Sequence, residues 1–241
     1  MTDDDRLGMV ESLFKTVNQP LFIHAHLMGT HSPNSLDELD SNTTIFDQYM
    51  QKLVGDLKQM GKLDQTVIIV YTDHGYGDVS NVRIPLMIRF PNEQHAGEIL
   101  HNTQNLDIAP TILDYLGMQP PAWMEGTSLL EGQPPLTRPI FSAAPSFRAD
   151  TEFHRLELDL SKVKPPFYQF GTVGMVICQN WYALDTASLA WQTAVIQDYP
   201  NPCPASSLPS DRQAKETMLN QLKSEGFDTR TLETAFELSD P

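Results

Sequence analysis

Apolar residues run without alternation from Val67 to Tyr71 inside TVIIVYTDHG, residues 66–75, the pattern of a strand covered on both faces. Upstream, Met9, Val10, Leu13, Phe14 and Val17 fall at helical spacing, and Asn18-Gln19-Pro20 ends that helix. Leu21 to Met28 predicts another strand, with His24 and His26 at period 2 and therefore on one face. Residues 34–42 are polar and read as loop. Thr43 or Thr44 caps a helix to Met60, whose stripe is Ile45, Phe46, Tyr49, Met50, Leu53, Leu57 and Met60. Strand, helix, strand in this order predicts a right-handed crossover and a parallel pair.

The pattern continues with a strand over Ile84 to Phe90, where Pro85 belongs at the start or on an edge. A helix opens near Asp107 as N-cap, with Pro110 in its first turn and Gly117 as its stop. Beyond Thr137 the periodicity changes. Pro139 to Ser142 reads as one more strand, Ala143 to Pro166 as irregular, and Phe170 to Leu184 as a hairpin around Gln179-Asn180. Arg212 to Lys223 and Thr231 to Leu238 are short amphipathic helices. The expectation is an α/β core over residues 1–136 and a small α+β subdomain over residues 137–241.

Charge narrows the partners. A net charge of −15 argues against nucleic-acid backbones and anionic membranes. The acidic excess, from Asp3-Asp4-Asp5 to Asp240, reads as solvated surface. No apolar run has the length of a membrane span, and MTDDDR has neither a basic nor an apolar leader region; the compartment stays open. Cys178 and Cys203 have no zinc spacing and read as unpaired packing or surface residues, with pairing open in an oxidising compartment.

The candidate chemistry sits at strand ends. Asp73 and His74 follow the Val67–Tyr71 run, and ligands of open α/β sheets bind beyond the carboxyl ends of strands. A carboxylate oxygen and an imidazole nitrogen suit a divalent cation such as Zn²⁺, Ca²⁺ or Mn²⁺. An isolated Asp-His pair also fits a turn cap beside a surface histidine. His31 occupies the same kind of position past the preceding apolar segment.

These residues together resemble a family. HLMGTHSP, residues 26–33, looks like the sulfatase histidine strand, and TVIIVYTDHG looks like that family's second metal motif. VRIPLMIRFP, residues 82–91, matches the strand that follows it. Asp107 to Gly117, then Met124 to Leu130, resembles the family's D-x-A-P-T and M-x-G-x-S-L-L segments. The resemblance implies an alkaline-phosphatase-like fold, a mostly parallel sheet flanked by helices, and hydrolysis of a sulfate ester. Asp73 and His74 would be metal ligands, with calcium the implied cation, and His31 would donate to the sulfate or leaving-group oxygen. His26 and Arg83 are the implied substrate contacts, with a buried structural role for His26 and ordinary ion pairing for Arg83 and Arg89 as the alternatives.

The sequence also departs from the pattern. A first strand ending in paired aspartates and a nucleophile in C/S-x-P-x-R are both missing, and Asp73 to Arg83 is too short for the family's lysine-bearing loop. The expectation is the carboxyl-terminal half of a sulfatase-like enzyme, whose partner is its N-terminal half or a second copy of itself. Lipid-headgroup phosphotransferases share the Gly-Thr/Ser-His-x-Pro turn and the DHG site, and there zinc or manganese would be the cation. A non-catalytic remnant that binds an anion or a partner is the third reading.

Overall fold

The computed structural model describes residues 2–31, 35–75, 83–150, 155–197 and 199–238. The described chain divides into two compact units. The first holds residues within 1–72 and 85–96, and the second holds 73–75, 83–84 and 97–238.

The first unit begins with α1 (Asp3–Thr16) and α2 (Leu36–Gln59). Helix α1 starts six residues before its apolar stripe because Thr2 and Asp5 form a reciprocal capping box. Helix α2 also starts early, at Ser35, whose hydroxyl accepts the Glu38 amide. The predicted caps Thr43 and Thr44 lie inside it and donate back to the Leu39 and Asp40 carbonyls. Leu7 and Val10 pack against Leu53 and Leu57, with Ile23, Leu27 and Ile68 around them.

Strand β1 (Ile68–Tyr71) pairs with β2 (Leu86–Arg89), and the register Ile69↔Ile88 is antiparallel. Pro85 precedes β2, where it costs no ladder bond. The expected parallel pairing of Leu21–Met28 is not found among the described residues. That segment keeps its inward side, since Ile23 and Leu27 face the helices, but it has no ladder partner and so is not a strand. Arg89 reaches Asp64 at 2.7 Å and the Leu63 carbonyl at 2.9 Å, a structural role that fastens β2 to the turn before β1.

In the second unit α3 (Ile108–Tyr115) precedes an antiparallel sheet of order β3-β6-β7-β8. Its strands are β3 (Ile140–Pro145), β6 (Phe170–Ile177), β7 (Asn180–Asp185) and β8 (Trp191–Val195). A separate hairpin, β4 (Phe147–Asp150) and β5 (Arg155–Leu158), lies within the stretch read as irregular. Alternate residues Val173, Met175 and Ile177 of β6 enter the core beside Tyr182 and Leu184 of β7. They meet Ala214, Met218 and Leu222 of α4 (Asp211–Ser224) and Leu232 and Phe236 of α5 (Arg230–Leu238).

The cysteines correct the sequence reading. Cys178 and Cys203 form a disulfide, Cα–Cα 5.9 Å, inside that core. They lie 25 residues apart with no local motif, so only the fold brings them together. Gln179 completes the tie by accepting the Cys203 amide at 2.9 Å.

Candidate functional site

The histidine segment of the first unit is pinned at three places. His24 Nε2 lies 3.1 Å from the Tyr71 hydroxyl, and the two rings stack at 12° with centroids 6.2 Å apart. Ile23 and Leu27 face the helical core. At the far end, Met28 and Gly29 donate their amides to the Asp3 carboxylate, Gly29 at 2.6 Å. His31 then closes a turn through its amide to the Met28 carbonyl at 3.0 Å. His24, His26 and His31 are all exposed, so the buried alternative for His26 does not hold. The remainder of the HLMGTHSP motif, residues 32–33, lies outside the described residues.

Asp3 was read as solvated surface, and here it is a hydrogen-bonded anchor. Burial raises its pKa, but the Met28 and Gly29 amides and the Arg6 guanidinium outweigh that and hold the carboxyl below the ordinary carboxylate range.

Asp73 and His74 stand just past β1 and group with the second unit. The His74 amide donates to Asp73 Oδ1 at 3.1 Å, and His74 Nε2 lies 3.8 Å from the same oxygen. His74 Nδ1 is 2.9 Å from the Gly75 carbonyl, which can only accept. Nδ1 is therefore the donor, and in the neutral ring Nε2 is then the acceptor, the tautomer that binds a cation through Nε2. The Asp73 side chain is 74% exposed. These two donors fit part of a cation site. Among the described residues no group of three or more His, Cys, Asp or Glu converges to complete one.

Arg83 is exposed and belongs to the second unit, where its positive charge is felt at Tyr199. Burial pushes the Tyr199 phenol up, while Arg83 pulls it down. The Tyr199 hydroxyl donates to Asn102 at 2.7 Å. The predicted lysine-loop gap, residues 76–82, lies outside the described residues.

The Asp107 motif is structural. Asp107 is fully buried and does not cap α3 with its side chain. Its two oxygens take both terminal nitrogens of Arg138, at 2.7 and 2.9 Å, and the Thr127 amide at 2.8 Å. Thr111 Oγ1 donates to the Asp107 carbonyl and accepts the Leu129 amide. Gly126 is needed because a Cβ there would lie 1.9 Å from the Leu106 carbonyl oxygen. The two halves of the motif are thus the two sides of one buried joint. Asp3, Arg138 and Tyr199 escaped the sequence reading because none has a local motif, although Thr2 and Asp5 as a capping pair leave Asp3 without a capping role.

Comparison with known proteins follows the same residues. The family model described as Sulfatase matches residues 3–118. An extracellular sulfatase SULF-1 homolog of Drosophila melanogaster is 34% identical over 97 residues, 35% of this chain and 9% of that protein. Lipoteichoic acid synthase 1 of Bacillus subtilis is 27% identical over 171 residues, 52% of this chain and 26% of that one. A solved phosphonate monoester hydrolase from Silicibacter pomeroyi superposes with a TM-score of 0.53 at 22% identity, covering 85% of this chain and 46% of its own. The chain therefore spans less than half the length of these relatives. Over residues 3–118 the chain is similar to the family described as Sulfatase, and its likeness to the solved hydrolase is one of fold.

Proposed function

We propose that this chain supplies the carboxyl-terminal part of a metal-dependent sulfate-ester hydrolase, with the nucleophile carried by an N-terminal half outside it. The observation that carries this reading is the Asp73-His74 pair past β1, with the imidazole oriented by the Gly75 carbonyl. A divalent cation bound there, calcium by resemblance, would neutralise charge on the ester anion. Asp73 Oδ and His74 Nε2 would hold it. His31 would hydrogen-bond the leaving oxygen and give it a proton as the S–O bond breaks. His26 and Arg83, both exposed, would contact the rest of the substrate.

Exposed apolar side chains favour a missing half over a self-sufficient enzyme. Phe22, Tyr71 and Met87 of the first unit present apolar surface beside a sheet of only two strands among the described residues. An N-terminal half bearing further strands would cover it, and self-association is the competing outcome.

The test is reconstitution. The chain is mixed with a polypeptide bearing the paired aspartates and C/S-x-P-x-R, and offered aryl sulfate and aryl phosphate with calcium. Sulfate-ester turnover that falls in an Asp73→Ala/His74→Ala variant is the expected result. Turnover of phosphate esters alone would move the assignment to phosphoryl or phosphoethanolamine-type transfer with zinc or manganese. That second reading is favoured by the 171-residue match to a lipoteichoic acid synthase, longer than the match to the extracellular sulfatase. Metal-dependent turnover by the lone, monodisperse chain would overturn the division into halves.

A further inference from the structure

The first turn of α1 carries three aspartates, and they are not equivalent. Asp5 closes the capping box with Thr2, accepting its amide at 2.7 Å. Asp3 takes no part in the capping. Its Oδ2 accepts the Gly29 amide at 2.6 Å, both of its oxygens lie about the Met28 amide at 2.9 and 3.0 Å, and Arg6 Nη1 bonds Oδ1 at 2.6 Å. Two successive backbone donors, 25 and 26 residues away, thus converge on one carboxylate. Bonds to an ionised acceptor are about twice as strong as neutral ones.

The turn borders open space on that side. A cavity of about 210 Å³, lined by Asp3, Gly29, Asn42, Ile45 and Tyr49, lies beside it. A Cβ at position 29 would stand 2.9 Å from Asp3 Oδ2, so a larger residue there would push the carboxylate aside. Met28 then leads directly into the turn that His31 closes onto the Met28 carbonyl.

We propose that Asp3 is a positioning residue. Its carboxylate gathers the Met28 and Gly29 amides and so sets the turn that presents His31. The functional consequence rests on the reading of His31 given above, whereas the clamp itself does not. Gly29 is explained on the same terms, as the residue that lets the backbone come within reach of the carboxylate.

Amide hydrogen exchange resolved to single residues in the full chain tests the clamp, and deuteration at the His31 imidazole C2 position tests its effect. The variants are Asp3→Ala, Asp3→Asn and Thr2→Ala. In Asp3→Ala the Met28 and Gly29 amides should exchange about tenfold faster or more, while those of Leu53 to Leu57 in α2 stay as they were. Asp3→Asn, which keeps one acceptor oxygen, should fall between. The His31 C2 rate should shift in both Asp3 variants while that of His101 does not. Thr2→Ala removes the cap of α1 and should leave Met28, Gly29 and His31 unchanged. If Asp3→Ala does not fold, Asp3→Asn carries the same comparison.

Equal loosening of Met28 and Gly29 by Thr2→Ala would reduce Asp3 to a helix-end residue and overturn the proposal. Unchanged Met28 and Gly29 amides in Asp3→Ala would overturn it, as would faster amides with an unmoved His31 rate. Neither readout involves turnover, so failure of the sulfate-ester reading would leave these results standing.

Discussion

The sheet of β3, β6, β7 and β8 and the helix pair of α1 and α2 are held together by different means. In the first, alternate residues of two adjacent strands interdigitate with α4 and α5, and thirteen residues are buried in one cluster that includes a disulfide. In the second, the buried apolar residues among those described are Leu7, Val10, Leu53 and Leu57, and the other apolar side chains packed on them are half-exposed. Polar ties supply what packing does not: Asp3 to the Met28–Gly29 backbone, Lys52 to Glu11, and Arg89 to Asp64. The difference teaches what each kind of region can do: the candidate residues His26 and His31 lie on the sparsely packed one, whereas Asp73, His74 and Arg83 group with the second unit. Segments with few buried contacts are the ones that open at low cost and that binding can reorder.

The comparison breaks first at the buried ion pair. Arg138→Ala leaves the fully buried Asp107 carboxylate without its partner, and removing one member of such a pair costs about 3–5 kcal/mol. All three tryptophans, Trp123, Trp181 and Trp191, lie in the second unit, so urea unfolding followed by tryptophan fluorescence reads it directly. A midpoint within error of the parent would mean that the Asp107 joint is solvated in solution.

On the other side, Leu57 is 1% exposed and central to the α1–α2 contact. Leu57→Ala should cost about 2–5 kcal/mol. With so thin a core, that loss should appear as faster exchange throughout α1 and α2. A change confined to the immediate neighbours of Leu57 would show that the polar ties, and not the apolar contact, hold the two helices.

Next comes the Cys178–Cys203 disulfide. Replacing both with Ser should lower the midpoint, by an amount equivalent to about 3.5 kcal/mol of stability for a loop of this length, and dithiothreitol should do the same to the parent while leaving the variant unmoved. Identical midpoints for parent and variant in the absence of reductant would show the bond absent in solution.

The smallest effect is in acid. The folded pKa of Asp3 lies below its ordinary 3.8, so its stabilisation is present above about pH 3.8 and is lost as the pH falls through the lower folded value. Exchange at Met28 and Gly29 should therefore accelerate below pH 3.8 in the parent and show no such step in Asp3→Asn. A step of equal size in both would assign the transition to another carboxylate, such as Asp64, whose pKa Arg89 holds down.

Much of this was legible in the residues. The core stripe of α2, the amphipathic helices α4 and α5, the hairpin of β6 and β7, the place of Pro85 before β2 and the helix beginning after Asp107 all follow from periodicity and turn chemistry acting over a few residues. The helix starts were missed by several residues because polar first turns carry no apolar signal, although Thr2 with Asp5 and Ser35 before Glu38 were cap signals present in the text. His31, Asp73 and His74 were visible as residues that can carry chemistry at the ends of apolar runs.

What periodicity could not decide is what each segment pairs with. Leu21 to Met28 has the composition of a strand, yet whether it becomes one depends on a neighbour that hydrogen-bonds it, and that is a property of distant chain. The same holds for the Cys178–Cys203 bond, for Arg138 closing on Asp107 across 31 residues, and for Asp3 reaching Gly29 across 26. Local sequence determined most of the helices, the β6–β7 hairpin and the chemical types at element ends, since propensity and burial period act at short range. Tertiary structure alone decided which carboxylate is a cap, which a buried anchor and which a clamp, because an acidic side chain takes its role from the donors that folding brings to it.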